Sequence, residues 1–263
     1  MWLLNFYHNF LYLPLLNLLV FFYNIIPGHD IGVVIIVLTV VIRLALAPSF
    51  HKSLKSQKAM NDLQPKLNEL REKHKDDKEA LAKATMALYR DNKINPLSSC
   101  LPILIQLPIL IALYQVFRIA LGGHDLVGLY SFVHKPAYIS PKLLGLVDLS
   151  KPSYVFAILA GAAQFWQSKL MMPKAGSGQD ATMRAMSAQT TYVLPFISVI
   201  IAWRLPAGLP LYWIVTTLFA VGQQYYIIRA GKDPVLYVHN KGNLPVVTVE
   251  RMKNESEKNN QPK

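Results

Sequence analysis

The 263-residue chain has a single cysteine, Cys100, which excludes an intrachain disulfide and any multi-cysteine metal site. Its place inside an apolar stretch points to plain packing. No Lys or Arg precedes Arg43, and without a basic n-region neither a standard signal peptide nor an organellar transit peptide is expected. Walker-type phosphate loops, HExxH, GxSxG and clustered His, Cys and Asp are missing too. An enzyme reading therefore has no residues to rest on, and no metal or cofactor is expected. The long apolar stretches hold no Asp or Glu, which counts against carboxylate proton relays and a typical ion-coupled carrier. Nor do two halves of the chain match as inverted repeats.

What the chain has is apolar length. At 52% hydrophobic residues it is too apolar for a typical soluble domain, and it reads as an all-α polytopic membrane protein. The spacing predicts membrane-crossing helices over residues 31–50, 97–121, 153–171, 190–203 and 209–228. The net charge of +12 is unevenly spread. Between His51 and Pro96 there are 11 Lys/Arg and 7 Asp/Glu, whereas residues 122–152 hold only Lys135, Lys142 and Lys151 as cations. The positive-inside rule thus puts the first loop and the C-terminus in the cytoplasm. It divides the chain into an N-terminal segment (1–28), a first span (29–50), a cytoplasmic helical hairpin (51–96) and a second span (97–121). An extracytoplasmic loop (122–152), three more spans (153–230) and a disordered cytoplasmic tail (231–263) follow. The polar stretch with Lys169, Lys174 and Arg184 is expected on the cytoplasmic side.

Within the first span one residue stands out. Arg43 lies in an otherwise uncharged run, IGVVIIVLTVVIRLALA, with Thr39 one helical turn earlier on the same face. Two readings stand: the side chain snorkels roughly 10 Å to the polar boundary near Phe50, or it faces a water-filled cavity. Uncharged hydrogen-bonding groups recur in the spans, namely Gln106, Gln115, Gln164, Gln167, Thr216, Thr217, Gln223 and Gln224. They either satisfy neighbouring helices or join Arg43 in a hydrated groove. Arg118 and Arg204 read as interfacial snorkellers near helix ends.

In the first loop, Leu63, Leu67, Leu70 and His74, then Leu81, Ala84 and Leu88, recur at helical spacing and predict two amphipathic helices. Asp76 with Glu79 resembles a capping box, placing the turn near residues 75–77, while Pro65 kinks or begins a helix in the first arm. Residues 2–26 are uncharged but rich in Asn and aromatics, and form either an interfacial helix or a sixth span. The segment LPAGLP at 205–210 is short enough only for a tight outer turn, making a hairpin of the last two spans.

Three segments carry a resemblance: LTVVIRLALAP followed by LQPKLNELREKHKDD, then NPLSSCLPILIQLPILIALY, then LPAGLPLYW with GQQYYII downstream. Over residues 31–229 the chain resembles the YidC-type membrane protein insertases, related to the mitochondrial and thylakoid insertases. The resemblance implies a five-helix core around a groove open to cytoplasm and lipid but closed on the outer side, and an interfacial N-terminal helix. It places the groove arginine at Arg43, its polar partners at Thr39 and Gln106, and an aromatic groove position at Trp213 beside Tyr212. Some relatives have tyrosine there, so an indole N–H stands where they carry a hydroxyl. The function implied is that of an insertase and assembly chaperone of the bacterial plasma (inner) membrane, working without nucleotide hydrolysis. Its partners would be nascent membrane-protein clients, membrane lipids, and the ribosome and Sec translocon, with no specific nucleic acid. The competing classes are a small-solute channel or transporter, which needs access from both sides, and a purely structural assembly subunit.

Overall fold

The computed structural model describes residues 2–95, 97–171 and 188–229. The expectations for Lys174, Arg184 and the 231–263 tail, and for the Cys100 side chain, lie outside the described residues. The chain is an all-α membrane protein whose order begins with α1 (Trp2–Tyr7), a π-helical turn (His8–Tyr12) and α2 (Leu13–Ile25). Then come α3 (Ile31–Asp62), α4 (Gln64–Lys73), α5 (Lys78–Asp91) and α6 (Leu97–Leu121). A small hairpin, β1 (Lys142–Leu143) and β2 (Val147–Asp148), precedes α7 (Tyr154–Met171), a second π turn (Gln189–Val193), α8 (Leu194–Arg204) and α9 (Gly208–Arg229). By length and hydropathy, the helical stretches Asn5–Ile25, Ile31–Asp62 and Leu104–Leu121 suffice to cross a membrane, and Thr191–Arg204 is a shorter apolar helix.

Both π turns precede a proline near the start of the next helix, Pro14 in α2 and Pro195 in α8. Proline supplies no N–H, and its ring crowds the carbonyl four residues back, here Phe10 and Thr191. Those carbonyls lie inside the π turns, where the wider helix relieves the conflict.

Two local expectations need correction. The helix expected over 31–50 does not stop at Phe50: α3 runs through Pro48 to Asp62, so the following arm grows out of the same helix. Proline costs a hydrogen bond to the Leu44 carbonyl but is accommodated here within an otherwise continuous helix. The hairpin cap is Asp77 rather than Asp76, its Oδ1 accepting from the Glu79 and Ala80 amides at 3.0 and 2.9 Å. The turn falls where expected, but the capping carboxylate sits one residue later because only Asp77 takes the extended N-cap conformation. Pro65 begins α4, at the position where a missing N–H costs nothing.

In packing, α9 lies against α3 and α7, α7 against α8, and α3 against α6. Small residues line this packing: Ala157, Ala160 and Ala163 of α7 and Ser198 and Ala202 of α8 are buried, and a Cβ at Gly161 would run into Val199. Large apolar side chains meanwhile stay exposed along outward faces, as with Leu97, Leu101, Leu104, Leu107 and Ile111 of α6. Such a stripe suits lipid rather than water.

The buried apolar cluster gathers at one end of the bundle. It joins Leu16, Leu19 and Val20 of α2, Ile31 to Leu38 of α3, Ile109 to Leu121 of α6 and Leu209 to Tyr212 of α9. Polar groups at this end find partners. Asn17, only 3% exposed, donates to the carbonyls of Leu13 (2.8 Å) and Gly128 (3.1 Å) and accepts from the Tyr130 amide (2.7 Å). The Tyr23 hydroxyl accepts from the Ser140 amide at 3.0 Å, and Asn24 donates to the His134 carbonyl at 2.7 Å. The turn between α8 and α9 is tied to the same loop through Ala207 N to Lys151 O (2.9 Å) and Gly208 N to Leu149 O (3.1 Å).

Candidate functional site

Just past that cluster the character of the interior changes. Thr39 and Arg43 follow Ile35 at intervals of one turn, so the three share a face of α3. The Thr39 hydroxyl donates to the Ile35 carbonyl at 2.6 Å and is held by its own helix. Arg43 is only 6% exposed. Its guanidinium carbon lies 4.5 Å from the centroid of the Phe50 ring, a cation–π contact across Pro48. Its Nε and Nη1 are buried without a hydrogen-bond partner, and among the described residues no carboxylate pairs with it.

The facing helices supply the rest of the layer. Gln106 of α6 donates through Nε2 to the Tyr212 hydroxyl of α9 at 2.6 Å, at the edge of the apolar cluster to which Tyr212 belongs. Trp213 is half-buried on the adjacent face of α9, which also carries Ala220 and Gln224 at the i+7 and i+11 positions.

Farther along α9, Thr216 Oγ1, Gln223 Oε1 and Gln224 Oε1 are also buried and unpaired. The sequence flags them only as polar residues in a span. Their spacing places Thr216 and Gln223 on the face of Tyr212, at i+4 and i+11, and Gln224 on the adjacent face of Trp213. Gln115 has a partner, accepting from the Tyr7 hydroxyl at 3.1 Å. Arg118 and Arg204 are exposed at the ends of α6 and α8, as interfacial side chains would be. Gln223 also borders an apolar cleft of about 650 Å³ between α3 and α9, walled by Leu44, Pro48, Phe219 and Tyr226.

An unsatisfied buried polar group costs about 1–3 kcal/mol, and more if charged. Five such atoms on Arg43, Thr216, Gln223 and Gln224 make a packed dry interior untenable at this level. The arrangement suits water, or the polar and acidic groups of a passing chain. A fixed cation with no internal counter-charge attracts carboxylates most strongly where the medium is least polar.

The family described as 60Kd inner membrane protein matches residues 21–234. A relative named membrane protein insertase YidC, from Fusobacterium nucleatum subsp. nucleatum, is 38% identical over 225 residues, covering 85% of this chain and 99% of the relative. Relatives of the same name from Pelobacter propionicus and Syntrophus aciditrophicus are 37% and 38% identical over 222 and 221 residues. Those matches cover 84% and 83% of this chain but only 39% and 36% of the relatives, so the chain spans little more than a third of these longer proteins.

Proposed function

Because the chain belongs to the 60Kd inner membrane protein family, that of the YidC-type insertases, we propose that it is a membrane protein insertase and assembly chaperone. It moves client transmembrane segments into the bilayer through a hydrated, positively charged groove bounded by α3, α6 and α9. The observation that carries this reading is Arg43, buried and without a carboxylate partner among the described residues. The five spans are α3, α6, α7, α8 and α9, with the α4–α5 hairpin and the C-terminus in the cytoplasm. The N-terminal helix lies in the outer interface. Its hydrogen-bond partners from Tyr7 to Asn24 are Gln115 near the end of α6 and the 122–152 loop, which supports a helix lying across the outer end rather than running down the bundle.

The mechanism needs no nucleotide. A client meets the α4–α5 hairpin first, and its short polar or acidic tail then enters the groove. There Arg43 pairs transiently with client carboxylates, and Gln106, Tyr212, Thr216 and Gln224 offer hydrogen bonds that replace water. The packed cluster beyond Leu38 and Tyr212 stops a continuous water path. As the client's apolar helix leaves the groove for lipid, burial supplies the driving force at about 25 cal/mol per Å² of apolar surface. Ribosomes and the Sec translocon act beside it for longer clients.

The test is reconstitution in liposomes with a short single-span client carrying an acidic N-terminal tail, scored by protease protection of the tail. Wild type and Arg43→Lys insert the client, and Arg43→Ala does not. Equal insertion by all three would remove the electrostatic groove, and solute flux without insertion would favour a channel or transporter.

A further inference from the structure

The β1–β2 hairpin is a second feature that the groove does not use. Its strands pair Lys142 with Asp148 and Leu143 with Val147, leaving Leu144, Gly145 and Leu146 as the loop, with Leu144 and Gly145 the central pair of its turn. The Leu146 amide donates to the Leu143 carbonyl at 2.9 Å, and both turn residues have positive φ, +50° at Leu144 and +71° at Gly145. A two-residue turn of this kind is ordinarily filled by Asn-Gly or Asp-Gly, because those residues tolerate the left-handed region. A leucine there meets the full steric penalty. Within the protein it gains little in return, since Leu144 is 68% exposed and Leu146 is 85% exposed. Leu143 and Val147, on the strands, pack against the core, so the hairpin directs two apolar residues inward and two outward.

The hairpin is fixed at a defined depth. Asp30 caps α3, its Oδ1 accepting from the Val33 amide at 3.0 Å, while its Oδ2 accepts from the Leu144 amide. Leu143 lies directly on Gly32, where any Cβ would collide with it. The tip is therefore held at the first turn of α3, the most apolar of the candidate spans. Ile25, five residues before Asp30, is also exposed.

We propose that the Leu144–Leu146 tip is a lipid-facing wedge that sits among the upper acyl chains of the leaflet at which α3 begins. The partner is phospholipid, and the charge pattern fits it. The tip side chains are uncharged, while at the hairpin base the exposed Lys142 and, across from it, Asp148 form a zwitterionic pair suited to the headgroup layer, with the Asp30 carboxylate turned inward onto the Leu144 amide. Lipid contact supplies the burial that offsets the leucine's backbone conformation. It fixes the depth of α3, and with it the level of Arg43 in the bilayer. The inference rests on α3 crossing the membrane, not on insertase activity, and its test reads no activity.

The experiment places an environment-sensitive fluorophore on Leu146→Cys in a Cys100→Ala background, with the full chain in phospholipid vesicles. Leu104→Cys on the exposed face of α6 is the lipid reference and Lys151→Cys the water reference. Two quenchers are used, aqueous iodide and a phospholipid with a nitroxide near the top of its acyl chain. The wedge predicts nitroxide quenching comparable to Leu104→Cys and iodide quenching about fivefold weaker than at Lys151→Cys. Iodide quenching equal to that at Lys151→Cys overturns the proposal by placing the tip in water. Protection from both quenchers overturns it in favour of a protein contact. Leu144→Cys provides the same readout if Leu146→Cys fails to fold.

Discussion

The two ends of the bundle treat polar groups in opposite ways. Toward the start of α3, Asn17, Tyr23, Asn24 and Asp30 are matched to carbonyls and amides of the 122–152 loop, around a closed apolar cluster. Past Leu38, Arg43, Thr216, Gln223 and Gln224 are buried with atoms left unpaired. The same chain can satisfy its polar groups where it has a loop to fold over them, so the unpaired level is not poor packing. On the proposed function it is a place kept for a client to bind, and the paired end is the floor that keeps it from becoming a pore.

The largest expected effect attacks the unpaired end. In the liposome assay, Arg43→Ala lowers insertion by about a hundredfold, equivalent to roughly 2.7 kcal/mol, while Arg43→Lys stays within about fivefold of wild type. Equal loss in both variants would point to guanidinium geometry rather than charge.

Next comes the paired end. Asn17→Leu strands the Gly128 carbonyl and the Tyr130 amide in a nearly closed site, and should cost about 2 kcal/mol of stability. Thermal unfolding in detergent would register this as a lower midpoint. An unchanged midpoint would mean that water replaces the side chain and that the floor is not dry.

Tyr212→Phe tests the link between α6 and α9. Loss of the hydroxyl removes the acceptor for Gln106 and should reduce insertion about threefold, with a stability change of about 1 kcal/mol or less. If stability falls by several kcal/mol and insertion per folded protein is unchanged, the bond belongs to the fold rather than to the groove.

Thr216→Val sharpens the contrast at the smallest scale. Because its hydroxyl has no partner, replacing it with a methyl group should leave the unfolding midpoint unchanged or slightly raised, by about 0.5 kcal/mol, while insertion falls about twofold. Clear destabilisation would reveal an ordered water satisfying the hydroxyl, and the cavity would then be structured rather than open.

Much of the helical layout is legible because apolar length and proline placement are local properties. The second apolar stretch coincides with α6, Leu97–Leu121; α7 starts one residue later than expected, α9 is one residue longer at each end, and α8 starts four residues late because a π turn occupies Gln189–Val193. The end of α3 was not legible. The sequence turns polar after Phe50, but polarity marks the membrane boundary and says nothing about whether the helix stops there. The cap moved from Asp76 to Asp77 for a similar reason, since two adjacent carboxylates are equivalent in a pattern and differ only in backbone angle. At the site, Arg43, Thr39 and Gln106 stand out as polar residues where lipid would forbid them. The division of labour between Tyr212 and Trp213 depends on a rotation of about 100° around α9, which no spacing argument fixes without a neighbour to face.

The sequence by itself determined the class of molecule, its apolar helices, the lone intramembrane cation and the family. Each follows from the cost of placing a given residue in water or hydrocarbon, and that cost is local. Only the tertiary structure decided which polar atoms find partners: that Asn17 is fully tied while Arg43 is not, and that Tyr212 reaches Gln106. It also set a strained leucine against the first turn of α3. Hydrogen bonding and burial depend on what a distant segment brings within about 3 Å, and that is settled by how the helices pack.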